Sequence, residues 1–70
     1  MTKYNERHGG AYDRGSADAY YGRAFQPHMY AGDTGSSQLI PQHRMSKDEI
    51  EAYCAGYEQQ MESGIHKDYH

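Results

Sequence analysis

Apolar and polar positions alternate most regularly in the second half of the chain, between Met45 and Gly64. Ile50, Tyr53, Cys54, Tyr57 and Met61 recur at intervals of three and four, the spacing of one stripe on a 3.6-residue helix. Asp48, Glu51, Glu58 and Glu62 fall off that stripe with only Lys47 against them, which predicts a helix with an apolar inner side and an acidic outer side. Its limits are written locally. Ser46 and Glu49 have the spacing of a capping box, Met45 and Ile50 that of a hydrophobic staple, and Gly64 stands where a left-handed glycine closes a helix. The pattern predicts a helix over 47–63.

Earlier in the chain, AYDRGSADAYYGRAF (11–25) is read as a weaker helix over 13–24, capped by Asp13. Gly15 and Gly22 lie inside it, and each costs about 1 kcal/mol relative to alanine. Gly15, Ala19 and Gly22 are spaced i, i+4, i+7 and so offer a smooth strip for close approach of another helix, with Gly56 its natural counterpart; the alternative is a turn-rich segment with no continuous helix. Residues 26–45 hold both prolines, two glycines and a Ser-Ser pair, the composition of a connector, from which Leu39 and Ile40 would anchor onto the helices. Residues 1–10 are expected to form a flexible arm. Beyond Gly64, Ile65 would fold back onto the helix and 66–70 would form a flexible tail. The expected fold is all-α: one small two-helix domain over 11–65.

Composition makes that domain shallow. Its 70 residues have a hydrophobic share of 36% and a mean hydropathy of −1.16, and a chain this short draws only about 3–5 kcal/mol from one core. Leu39 is the only leucine, Phe25 the only phenylalanine, and valine and tryptophan are absent, so the eight tyrosines supply most of the large apolar surface. A single cysteine excludes an internal disulfide, and no apolar run suits a signal peptide or a membrane span. A cytoplasmic protein is expected. The net charge of −3 is unevenly spread: residues 1–45 carry five cations against four acids, and 46–70 carry two lysines against six acids.

Catalytic spacing is not apparent. Of the five histidines and Cys54, only His66 and His70 stand four apart, at a chain end with little to order them, so a zinc site is not expected; GDTGSS lacks the lysine of a phosphate loop, and the Glu58/Glu62 pair reads as a solvated helix face. Cys54 falls on the apolar stripe, where a thiol acts as a small hydrophobe. Neither a cofactor nor an enzymatic activity is expected. A metal-dependent catalytic or sensing domain using His28, His43 and Cys54 is the alternative from another class. What stands out is an aromatic set, Tyr12, Tyr20, Tyr21, Phe25 and Tyr30, interleaved with Arg14 and Arg23. Tyrosine and arginine are enriched at interaction hot spots and stack on bases. The same rings would also serve to close a small core.

Within RGSADAYYGR, Arg14–Gly15, the alanines Ala17 and Ala19, and Gly22–Arg23 resemble the opening of bacterial ribosome modulation factor and its small relatives. Pro27–His28 is similar to that family's Pro-Tyr step, and Ala55-Gly56-Tyr57 resembles its Gly-Trp step, with Tyr57 in place of the tryptophan. The family is two helices joined by a linker, binds the small ribosomal subunit and silences ribosomes in resting cells; it is strongly basic, whereas this chain is acidic. The resemblance implies a non-enzymatic two-helix binder with Arg14, Arg23 and the nearby tyrosines at the contact. The Tyr-Tyr-Gly-Arg and Pro-His steps also look like small bacteriophage proteins, where a tiny chain most often acts by occluding a host machine. The expected partner is therefore a ribosomal subunit or a host protein. For a host nucleic-acid enzyme or defence effector, the acidic face of Glu51, Glu58 and Glu62 would make the contact. A homodimer, completing its core across a two-fold axis, is also compatible with the exposed tyrosines.

Overall fold

The computed structural model describes residues 9–32 and 37–64. Its elements run α1 (Ala11–Tyr20), β1 (His28–Tyr30), β2 (Leu39–Pro41), a single 3₁₀ turn (Gln42–Arg44) and α2 (Lys47–Ser63). The expected arm, apart from Gly9 and Gly10, and the expected tail with Ile65 lie outside the described residues.

α2 has the limits its sequence announces. The Ser46 hydroxyl accepts from the Glu49 N–H at 3.1 Å, and the Glu49 carboxylate accepts from the Ser46 N–H at 2.7 Å. Gly64 closes the helix at φ +73°. The buried stripe, however, is rotated from the expected one. Ala52, Tyr53 and Gly56 are buried, Ile50 and Tyr57 are partly so, Cys54 is half-buried and Met61 is 57% exposed. The reason is the partner: α1 presents a narrow, small-residue face and approaches Tyr53 and Gly56 too closely to cover the wider apolar stripe.

α1 is shifted and shortened relative to the expectation of 13–24. Gly10, not Asp13, is the N-cap. Asp13 acts from the first turn, its carboxylate accepting the Gly9 N–H at 3.0 Å, where negative charge also suits the helix dipole. The helix stops at Tyr20 because Gly22 adopts φ +71°. The Gly22 N–H then donates to the Ala19 carbonyl at 3.1 Å and the Arg23 N–H to the Asp18 carbonyl at 2.7 Å, the double closure of a Schellman motif. Gly22 is thus a helix terminator rather than part of the contact strip.

Gly15 and Gly56 do meet, as their spacing suggested. A Cβ on Gly15 would overlap the carbonyl oxygen of Tyr53 and lie 3.0 Å from the Tyr57 nitrogen; one on Gly56 would overlap the Tyr12 carbonyl oxygen. The helices cross backbone to backbone, and the Ser16 hydroxyl donates to the Gly56 carbonyl at 3.2 Å across the contact. Ala11, Ala52 and Tyr53 form the core with Met29 and Met45, and Tyr12, Ile40, Ile50 and Tyr57 pack around it.

The connector corrects the all-α expectation. β1 and β2 pair antiparallel, with Met29 opposite Ile40, and the fold is mostly helical with a small two-stranded sheet. A two-stranded sheet is marginal alone, so its packing on the helices sustains it: Met29 is buried in the core and Ile40 lies against it. Leu39, expected to anchor, instead is 50% exposed. Alternation along the strand allows only one of two neighbours to face inward.

Candidate interaction surface

Two arrangements of polar and aromatic groups stand out, one inside and one outside. The inner one is centred on Asp18, which is 3% exposed. Its carboxylate accepts the Tyr53 hydroxyl and faces Arg14 at 3.6 Å, Arg23 at 3.5 Å and the His28 ring at 3.7 Å. Tyr53 in turn accepts the Gln26 N–H at 3.2 Å. Arg14 Nε donates to His28 Nε2 at 3.3 Å, and His28 Nδ1 lies 2.9 Å from the Gln26 carbonyl. This network ties α1, α2 and β1 together, and it satisfies a carboxylate that would be costly to bury alone.

Sequence reasoning missed Asp18, Tyr53 and His28 as a unit. The Arg14/Asp18 spacing of four was the available signal, since residues so placed are neighbours on a helix.

Burial, reinforced by Asp18, pushes the Tyr53 hydroxyl far above the ordinary tyrosine value. Unfolded, the phenol titrates near 10; folded, it holds its proton higher. The Tyr53 contribution to stability is therefore whole below about pH 10 and is lost as pH rises towards the folded value. In an alkaline titration followed by tyrosinate absorbance and circular dichroism, Tyr53 should ionise only as the helices melt. Ionisation of every tyrosine near pH 10 with the helices intact would contradict this.

The outer arrangement lies at the end of α1. Tyr20 and Tyr21 are 36% and 37% exposed and meet edge to face at 5.0 Å; Phe25 is 49% exposed. The Arg23 guanidinium lies 5.0 Å from the Tyr21 ring centre. Phe25 rests edge-on against Tyr53 and Tyr57 at 5.4 and 5.2 Å, and the Tyr57 hydroxyl donates to the Arg23 carbonyl at 2.6 Å. Tyr20, Tyr21, Arg23 and Phe25 are thus brought together on one short, braced segment.

The other expected contact residues go elsewhere. Arg14, its side chain 12% exposed, is held by Asp18 and His28 and lies 5.8 Å from the Tyr30 ring centre. Tyr12 packs against the core and donates to Gln59. Tyr30 is half-buried. On α2, Glu51, Glu58 and Glu62 are all exposed, and spacings of seven and four align them along one face.

Burial and the carboxylates of Glu58 and Glu51 push the Cys54 thiol up, which makes it a poor nucleophile. Among the described residues, no three His, Cys, Asp or Glu side chains converge as a metal ion would require; His28 faces Arg14 and Asp18. No described helix is long and apolar enough to cross a membrane. Compared with protein-family models, curated proteins and solved structures, the chain matches none of them.

Proposed function

We propose that this chain is a non-enzymatic binding protein of the ribosome-modulation-factor-like type, phage-borne, that docks on a large host assembly and blocks it, with the ribosome as first target. The observation that supports this reading is the braced exposed segment of Tyr20, Tyr21, Arg23 and Phe25. Large rings held in place lose little freedom on binding, and aromatic and arginine side chains are the usual anchors of an interface. On a ribosome, Tyr20 and Tyr21 would stack on bases and Arg23 would meet a phosphate.

The residues that carry the family resemblance build the frame. Gly15 and Gly56 make the helix crossing, Gly22 ends α1, and Arg14 and His28 join the inner network. Arg14 therefore acts as a positioning residue, and Arg23 is the cation left for the contact.

Co-sedimentation with purified small ribosomal subunits tests the reading. With one phosphate contact, affinity should fall only about three- to fourfold between roughly 50 and 200 mM salt. The double variant Tyr20→Ala, Tyr21→Ala should bind at least about tenfold more weakly, given the usual contribution of base stacking. Absence of binding at low salt would sink the ribosomal target. The aligned carboxylates Glu51, Glu58 and Glu62 support a second reading, docking on a basic face of a host protein. Under it, Glu58→Lys with Glu62→Lys should abolish capture of that partner.

A further inference from the structure

The hairpin has two edges, and among the described residues only the β1 edge is met by backbone from outside the hairpin. The Tyr30 N–H donates outward to the Gly9 carbonyl at 2.8 Å, while the Ala31 N–H donates inward to the Gln38 carbonyl at 3.0 Å. Residues of an antiparallel ladder face their partner and face away in alternation. Tyr30 and Leu39 are opposite in register, so both direct their backbone polar groups away from the hairpin. Gly9 meets the N–H of Tyr30 on β1. Among the described residues, the N–H and C=O of Leu39 on β2 meet no partner.

The surroundings of that edge are specific. Towards one face lies a hollow of about 370 Å³ with Pro27, Tyr30, Leu39 and Pro41 in its walls. Towards the Gln38 and Ile40 face lies a smaller one, about 180 Å³, bounded by Arg44. Arg44 is exposed and, among the described residues, has no ion pair or hydrogen bond.

We propose that the β2 edge is a docking site for an extended segment of a protein partner in which apolar and acidic residues alternate. The partner backbone pairs with the N–H and C=O of Leu39, as in strand addition. An apolar side chain enters the larger hollow, and its neighbour, pointing to the opposite face, brings a carboxylate to Arg44. A second copy of the chain fits less well, because its own edge from Ser37 to Gln42 carries no carboxylate to meet Arg44. Pro41 lacks an N–H and keeps the edge short, which limits open-ended strand pairing. This site is separate from the segment of Tyr20 to Phe25, and the inference does not rest on the ribosomal reading.

The test titrates the full, isotopically labelled chain with an end-capped octapeptide of alternating valine and glutamate, followed by amide chemical shifts. Two further peptides serve as comparisons: one with lysine for glutamate, and one N-methylated at alternate amides. Saturable shifts at Leu39 and Arg44 are expected, with the lysine peptide weaker by about fivefold, the scale of an exposed ion pair. Arg44→Glu, an exposed change whose folding is checked by circular dichroism, should reverse that preference, and the methylated peptide should not compete. No shift at Leu39 with millimolar peptide, or equal binding of the methylated peptide, overturns the proposal. So do the same shifts appearing on concentrating the chain alone, which would assign the edge to a second copy.

Discussion

Replacing Gly56 by leucine should remove a large part of the chain's stability. The first carbon of any side chain at this position overlaps the Tyr12 carbonyl oxygen and lies 3.1 Å from the Ser16 nitrogen. Both atoms belong to the α1 backbone, so nothing yields short of separating the helices. Overpacking typically costs about 1–3 kcal/mol where side chains can give way, and a backbone obstacle places this change at or above the top of that range. The gain in helix propensity returns only about 1 kcal/mol, against a total stability of roughly 3–5 kcal/mol for a core this small. Gly56→Ala should be nearly as damaging, because the obstacle is met by the Cβ itself. Thermal and urea melts followed by circular dichroism provide the check. A Gly56→Ala variant as stable as the parent would mean that the helices do not cross here.

Asp18→Ala should rank next. It removes the acceptor of the Tyr53 hydroxyl and the carboxylate facing Arg14 and Arg23. Tyr53 is fully buried and the Arg14 side chain nearly so, so neither regains water easily. Taking one partner from a buried ionic network costs about 3–5 kcal/mol. Arg23 is 56% exposed and can hydrate, so the low end, about 3 kcal/mol, is expected. For a domain of this size that lowers the melting temperature on the order of 10–20 °C. Asp18→Asn keeps an acceptor for Tyr53 and should lose less. Equal stability of Asp18→Ala and the parent would show that the network is not held in solution. The same change frees Arg23 from below, so a folded Asp18→Asn should also present Tyr21 and Arg23 less rigidly to a partner.

The two variants probe features that were unequally legible in the chain. Gly15 and Gly56 could be paired in advance because a glycine inside a helix is a local cost that needs a reason, and close helix approach supplies one. Gly22 obeyed the same spacing yet does something else. The backbone at that point can either continue the helix or adopt positive φ, and spacing alone does not distinguish these. Asp18 was hidden for a different reason. A carboxylate between two alanines reads as a solvated position, and only Tyr53, 35 residues away, together with His28 converts it into a buried hub.

The candidate contact surface was partly legible. The Tyr-Tyr-Gly-Arg-x-Phe run announced an aromatic–arginine surface, and Tyr20, Tyr21, Arg23 and Phe25 do lie exposed at the end of α1. Composition could not say which arginine faces outward. Arg14 and Arg23 are chemically alike, and their opposite fates follow from nine residues of separation that place one beneath the hairpin and the other beyond the helix end.

By itself the sequence determined the start and end of α2, the glycine crossing and the shallowness of the core. Those features depend on contacts within one turn of helix or on side-chain volume, both readable residue by residue. The β1–β2 pairing, the rotation of the buried stripe away from Met61 and the assembly of Asp18, Tyr53, His28 and Arg14 were decided only by tertiary structure. Each requires groups from separate elements to meet, and a strand of three residues or a lone buried carboxylate has no stability until its distant partners are in place.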